Sequence, residues 1–491
     1  MTLAQGGPML LIPSFARPLF DEFAPVFFHP TYQRFLLLTV AAILTTGRRT
    51  VSNLLRSVGE LAHGDPSSYQ HVLSMRHWSM MALARILIRF ILDHWVGDGP
   101  VMLAGDDTVD EHRGAKVYGK GCHRDPVRST HSHTAFRWGH KWVVLAILVP
   151  FPFATRPWAL PVLVALYRAE AKAQDSTPQP KTKKVKDKAK AKAKKRARKR
   201  AEVARDASGK AIRQHRTPAE LMRQLLAVLI HWFPDRQFVI AGDGGYASHA
   251  LARFAHRHHR HVSLVSLFYP DANLYEPPPA VVGKRIGRPR QKGNKLPSPE
   301  VVVGQSPRER LEVSWYGGGR REVEVVRGTG HWYKGGAGLV PLTWVYVHDL
   351  TGTHRDTYLF GTDVAMASRT IIEMYTGRWS IETTFEECRA YLGLETTRGR
   401  AERTVLRAAP CLFGLFSIVT LLYAEIPGRE SIGPAVTYRG KVGISFSDAI
   451  TIVRRQLWSE GVFEAHGQNE VFQKLPEPLR LILLSALAPA A

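Results

Sequence analysis

VMLAGDDT (residues 101–108) and FVIAGDGGY (residues 238–246) decide the reading of this chain. Each is a short apolar run that ends in Gly-Asp. Such a run reads as a buried strand, and a carboxylate at its C-terminal end projects into a cleft without placing charge in the core. If the two strands are neighbours, their carboxylates converge. Two or three such groups suit Mg²⁺, a hard cation that takes oxygen ligands. A pair of such ions activates a water and stabilises the leaving oxygen in phosphodiester cleavage. Asp106 and Asp107 point to opposite faces while the strand continues, so one of the two is expected to be the ligand. Taken alone, an Asp at a strand end is equally a turn residue or a helix cap.

Working outward, the pattern is α/β. Residues 1–98 read as helical. An apolar run, Phe35 to Leu44, is followed by Gly47 and by a second helix carrying Arg48, Arg49 and Arg56. That arrangement suits a helix-turn-helix and an ordinary helical bundle alike. Trp142–Val149 reads as a strand, and Pro161–Leu166 as a strand or a short buried helix. Residues 170–216 are low-complexity and rich in Lys, Ala and Arg, a basic linker or a charged helix that orders on nucleic acid. Glu220–Trp232 and Leu251–His258 read as helices, and Val262–Leu267 as a strand. Residues 270–299, rich in Pro, Gly and basic side chains, read as irregular. Residues 311–316, 321–327 and 342–348 alternate like antiparallel strands. Arg369–Leu392 reads as one helix, and the chain beyond about 403 as helical.

The 491 residues carry 67 Lys and Arg against 42 Asp and Glu, a net charge of +25. Lys181–Arg200 holds 13 basic residues and one acid, Asp187, yet the remainder is still basic by 13 charges. A fold does not need that excess, whereas a polyanion uses it. No basic amphipathic anchor or lipidation signal points to a membrane instead. Cys122, Cys388 and Cys411 are too few and too scattered for a disulfide framework, and match no zinc spacing. The N-terminus has no signal-peptide pattern. The apolar run 408–424 is short for a membrane span and reads as a buried helix.

The third acidic element is YTGRWSIETTFEECR (residues 375–389). On one helix, Tyr375, Arg378, Glu382 and Arg389 share a face. Such a stripe serves either as a phosphate-gripping, metal-binding surface or as a solvated face laced with ion pairs.

This spacing, Tyr-x2-Arg-x3-Glu-x6-Arg, resembles the Y-(2)-R-(3)-E-(6)-K signature of bacterial insertion-sequence DDE transposases. The two Gly-Asp strand ends precede it in that family's order. The segment 118–167, with HSH (131–133) and WGHKW (138–142), is also similar to such proteins, as is 277–288. The resemblance covers roughly residues 30–460. It implies an RNase H-like mixed-sheet catalytic core, here in parts 99–169, 217–268 and 351–400. A β-rich insertion (269–350) interrupts that core, and helical regions (1–98 and 401–491) flank it. It implies Asp107 (Asp106 as alternative), Asp243 and Glu382 as the catalytic residues, holding two Mg²⁺ ions with Mn²⁺ as a substitute. Tyr375 and Arg378 would grip terminal phosphates. Arg389 stands where the signature has Lys, keeping the charge but replacing a point donor with a fork. The implied activity is cut-and-paste transposition: cleavage at terminal inverted repeats, then strand transfer into target DNA. The protein would be a homodimer in the synaptic complex, cytoplasmic and nucleoid-associated. The alternatives are a transposase-derived DNA-binding protein without catalysis, and a nuclease that cuts without joining.

Further features follow from composition and from this likeness. The 138 residues between Asp243 and Glu382 accommodate the insertion, in which Trp315, Trp332 and Trp344 are either core or platforms for a flipped base. RIGRPR (285–290) resembles an AT-hook, in which Arg288 and Arg290 would lie in a narrow minor groove. His123, His131, His133 and His140 gather between the first two long strands without a spacing that favours zinc. They read as polar filler, with His131 or His133 available for proton transfer.

Overall fold

Strand β1 (Val101–Glu111) is the axis of the fold, and it runs four residues beyond the aspartates expected to end it. The computed structural model describes residues 12–125, 128–130, 132–169, 215–279, 290–463 and 467–489. The basic run 181–200, His131 and Arg288 lie outside these. β2 (Gly121–Arg124), β3 (Phe136–Val149) and β4 (Trp158–Tyr167) follow β1. β3 runs antiparallel to both β1 and β4. Pro161 sits in β4, where the register shifts and where pairing to β3 alone leaves its missing N–H harmless.

Helix α6 (Pro218–Trp232) opens with a capping box between Thr217 and Glu220. It returns the chain to β5 (Phe238–Gly242), which lies parallel to β1. Helix α7 (His249–Arg257) then leads to β6 (Val262–Leu267), parallel to β5. The order β4-β3-β1-β5-β6 is an antiparallel meander extended by two parallel crossovers, the RNase H-like arrangement.

The β-rich segment does not stand apart as a separate sheet. β7 (Leu274–Tyr275), β8 (Glu309–Ser314), β9 (Arg320–Lys334), β10 (Gly338–Asp349) and β11 (Thr357–Gly361) belong to the same eleven-stranded sheet. β11 pairs antiparallel with β6, so the open edge of the core is covered and the ladder continues outward. Helix α8 (Pro299–Gln305) lies within this segment.

The N-terminal region is helical: α1 (Arg17–Phe23), α2 (His29–Leu44), α3 (Val51–Val58), α4 (Pro66–Ser74) and α5 (Met80–Trp95). Arg49 is buried rather than offered to a ligand. It donates to the carbonyls of Ala42, Gly47 and Tyr391, while its N–H reaches Thr396 Oγ1. These bonds fasten the helices to the chain after the acidic motif. That motif forms two helices, α9 (Ser368–Gly377) and α10 (Ser380–Ala390), not one.

Helix α11 (Glu402–Ala424) packs on β4. It is long and apolar enough to cross a membrane, but 72% of its most apolar window is buried within the protein. The chain closes with α12 (Phe446–Gln456), α13 (Asn469–Lys474) and α14 (Glu477–Leu487).

Candidate active site

Register brings the two Gly-Asp pairs together. β1 and β5 are parallel, and Gly105 pairs with Gly242. Asp106 and Asp243 therefore follow on adjacent strands, about 4.8 Å apart in the pairing direction. The packing around both glycines is tight, and Gly242 has least room for a side chain. A Cβ on Gly105 would stand 2.8 Å from Met222 Cε of α6, and one on Gly242 would stand 2.7 Å from Tyr246 Cβ. Asp243 lies just past β5, where its Oδ1 accepts the Gly245 N–H at 2.9 Å and the Ser266 hydroxyl donates to its carbonyl.

Because β1 continues through the aspartates, their side chains part. Asp106 faces the helices of the acidic motif. Its Oδ2 is 2.5 Å from Arg378 Nη1, and Arg378 Nη2 is 2.9 Å from Glu382 Oε1. Asp107 takes other partners: Lys141 Nζ lies 2.7 Å from its Oδ1, and the Tyr246 hydroxyl donates to Oδ2 at 3.5 Å. Of the two aspartates, it is thus Asp106 that Arg378 links to Glu382.

α9 and α10 meet at Arg378 and Trp379, both of which keep right-handed helical dihedrals. The helical phase is nearly preserved across the junction, so Tyr375, Arg378 and Glu382 still approach the sheet from one side. Arg378 is buried and passes under the Tyr375 ring, 5.7 Å from its centroid. It is held by carboxylates, not turned out toward a phosphate. Arg389 lies farther along β1, where its guanidinium donates to Thr108 Oγ1 and Val109 O and lies 3.5 Å from Glu395 Oε1. Arg290 is exposed.

The electrostatics are those of crowded carboxylates. Burial pushes the Asp106 carboxyl up to about 7, with the charges of Asp243 and Asp107 adding to the rise and Arg378 opposing it. Burial also raises Asp107, against the pull of Lys141. Tyr246 is pushed well above its ordinary value, first by burial and then by all three aspartates. Burial raises Tyr375 to about 12. A site that packs three carboxylates so closely, with Glu382 at its rim, gains from a cation. The all-oxygen donor set fits a hard divalent ion.

Lys141, Tyr246 and the exposed Trp379, over which Arg156 lies, were not apparent as site residues from sequence. Only the WGHKW motif carried a signal for Lys141. Of the tryptophans in the β-rich segment, Trp344 is core; Trp332 packs on His249, Phe268 and Phe360, and Trp315 on Tyr316 and His354.

A model of the DDE superfamily endonuclease family matches residues 22–322, well over half of the chain. The chain belongs to the DDE superfamily endonucleases. The matched stretch contains Asp106, Asp107 and Asp243. Glu382 lies beyond it and reaches the site through the fold. DDE superfamily endonucleases use divalent metal ions, in keeping with the donors gathered here. No curated protein matches this endonuclease. A solved structure similar to it is a piggyBac transposase synaptic complex with hairpin DNA, at 11% identity and a TM-score of 0.38, covering 98% of this chain and 85% of that one.

Proposed function

We propose that this endonuclease is a DNA transposase that cleaves at the terminal inverted repeats of its element and transfers the freed 3′ end into target DNA. The observation that carries the proposal is Arg378 bridging Asp106 to Glu382, with Asp243 beside Asp106 on the neighbouring strand, in a chain of this family. Asp106, Asp243 and Glu382 would hold the metal, with Mg²⁺ as the natural ion, Mn²⁺ as substitute and two ions expected. When bound, such ions supply an activated water and charge stabilisation at the leaving oxygen. Asp107 would order Lys141 and Tyr246 on the opposite face instead of serving as the first ligand.

The protein's own residues would do the rest. Arg378 neutralises the carboxylates before metal arrives, and on release turns toward a phosphate of the DNA end together with Tyr375. Arg389 and Arg290 add cationic contacts along the duplex, and Arg288 would extend them. The net charge of +25 supports a nucleic-acid partner and a strong salt dependence of binding. A homodimer would bring two ends together, in the bacterial cytoplasm beside the nucleoid.

The test is incubation with Mg²⁺ and linear DNA bearing the element's own ends, alongside Asp243→Ala. End-specific 3′-OH nicks and strand transfer, both lost in the variant, would support the proposal. Nicking without joining would point to a nuclease. Specific binding with no Mg²⁺-dependent cleavage would point to a DNA-binding protein that has lost catalysis.

A further inference from the structure

Asp106, Thr108, Asp110 and His112 alternate along one face of β1 and its end. Asp110 stands about 13 Å beyond Asp106 at the rise of a strand, well clear of the carboxylate site. It pairs across the ladder with His140 of β3. Asp110, His112 and His140 are all buried, and their ligand atoms lie within 4.8 Å of one another. His112 Nε2 is 3.2 Å from Asp110 Oδ2, and His140 Nδ1 is 3.5 Å from Asp110 Oδ1.

The state of His140 is the informative point. Its Nε2 lies 2.9 Å from the carbonyl oxygen of Tyr118, which only accepts, so Nε2 carries the proton. In the neutral ring Nδ1 is then a bare lone pair. It is buried, makes no close hydrogen bond among the described residues, and faces at 3.5 Å the Asp110 Oδ1 that accepts the His140 backbone N–H. Two lone pairs opposed in a buried site need a cation between them. An imidazole whose far nitrogen donates to a backbone carbonyl is also how metal-bound histidines are commonly oriented.

We propose that Asp110, His112 and His140 bind a Zn²⁺ ion, separate from the ions of the catalytic site. Two imidazoles and one carboxylate favour zinc over Mg²⁺, which prefers all-oxygen shells. Zinc at bond lengths near 2.0–2.2 Å spaces tetrahedral ligands about 3.3–3.6 Å apart, so modest side-chain rotation from the present geometry closes the shell, with water as the fourth ligand. The ion would tie β1 to β3 and, through the Tyr118 carbonyl, to the loop at 112–120. That loop touches the chain leading into α11, because the Tyr118 N–H donates to Arg400 O. The inference does not depend on transposition.

The test is elemental analysis of the full-length protein, loaded with Zn²⁺ and dialysed, for wild type, His112→Ala, His140→Ala and Asp243→Ala. The expected result is a zinc equivalent in wild type and Asp243→Ala that excess Mg²⁺ does not displace, and that both histidine variants lose. Where the histidine variants fail to fold, anomalous scattering at the zinc edge from wild-type crystals takes their place, and density between Asp110 and His140 is expected. Zinc absent from wild type would overturn the proposal and leave a proton on His140 as the bridging cation. Zinc retained by both histidine variants, or lost in Asp243→Ala alone, would equally overturn it.

Discussion

Arg378 Nη1 lies 2.5 Å from Asp106 Oδ2, and the two side chains are 8% and 13% exposed. The other arm of the guanidinium holds Glu382, which is 44% exposed. An arginine thus occupies the position between two carboxylates where a cation is most needed. It acts as an internal counter-ion to both carboxylates, and under the proposed function metal binding would displace it.

Arg378→Ala therefore leaves Asp106 buried without its partner. Removing one member of a buried ion pair costs about 3–5 kcal/mol, and the rise already imposed on Asp106 by burial places this case toward the lower figure. The expected outcome is a lower melting temperature in chelator and a larger gain on adding millimolar Mg²⁺ than wild type shows. Thermal melts with and without Mg²⁺ decide it, and equal gains in both proteins would sink the counter-ion reading.

The two adjacent aspartates should separate in activity. Asp106→Asn is expected to reduce Mg²⁺-dependent cleavage by roughly 10³-fold or more, an increment of about 4 kcal/mol in the barrier. Asp107→Asn, which loses its contacts to Lys141 and Tyr246, is expected to stay within about tenfold. Cleavage rates of the two variants on one end-bearing DNA provide the comparison. The reverse ranking would make Asp107 the ligand.

Glu387 of α10 predicts a pH effect away from the catalytic groups. Burial pushes its carboxyl up to about 7, Glu386 adds to the rise, and Arg156 opposes it. A folded value above the unfolded one means the folded state binds the proton more tightly. Its favourable contribution is complete below the unfolded value near 4.5 and is lost as pH rises through about 7. Glu387→Gln should flatten the fall in stability between these limits, gaining about 1–3 kcal/mol relative to wild type at pH 8. Urea unfolding at pH 5 and pH 8 measures it; an unchanged pH dependence would show that Glu387 ionises freely in the fold.

Asp349, at the end of β10, has the opposite sign. Burial pushes it up, but hydrogen bonds from Thr351, Thr353 and Arg321 outweigh that and hold the carboxyl below its ordinary range. Its contribution is present above the unfolded value and is lost as pH falls through the folded one. Asp349→Asn should cost about 2–4 kcal/mol at pH 7 and shrink the acid limb of the stability curve. Acid titration of both proteins by circular dichroism tests this, and parallel acid limbs would contradict it.

Local pattern was enough to place many elements. Val262–Leu267 is a strand at the expected residues because its apolar run is bounded by turn signals, and α6 follows its apolar period but starts two residues early, where the Thr217–Glu220 capping box opens it. The Gly-Asp pairs and the Tyr-Arg-Glu helix spacing named the carboxylates and the arginine that the fold gathers into one cluster. Short-range rules did not show that β1 runs on to Glu111, since pairing with β3 sustains it past the charged residues. Nor did they show that the β-rich segment joins the central sheet through β11 and β6.

Residue type and spacing, which are local properties, thus determined which carboxylates and cations the protein has and its own strongly basic character. The tertiary structure decided which of them meet. Pleating turned Asp106 toward Arg378 and Asp107 toward Lys141, a distinction invisible between two adjacent identical residues. Pairing of β1 with β3 set His140 beside Asp110, thirty residues away, a neighbour that no local spacing reveals. Strand pairing and burial are long-range, and they alone fix which lone pairs face one another in a medium too dry to screen them.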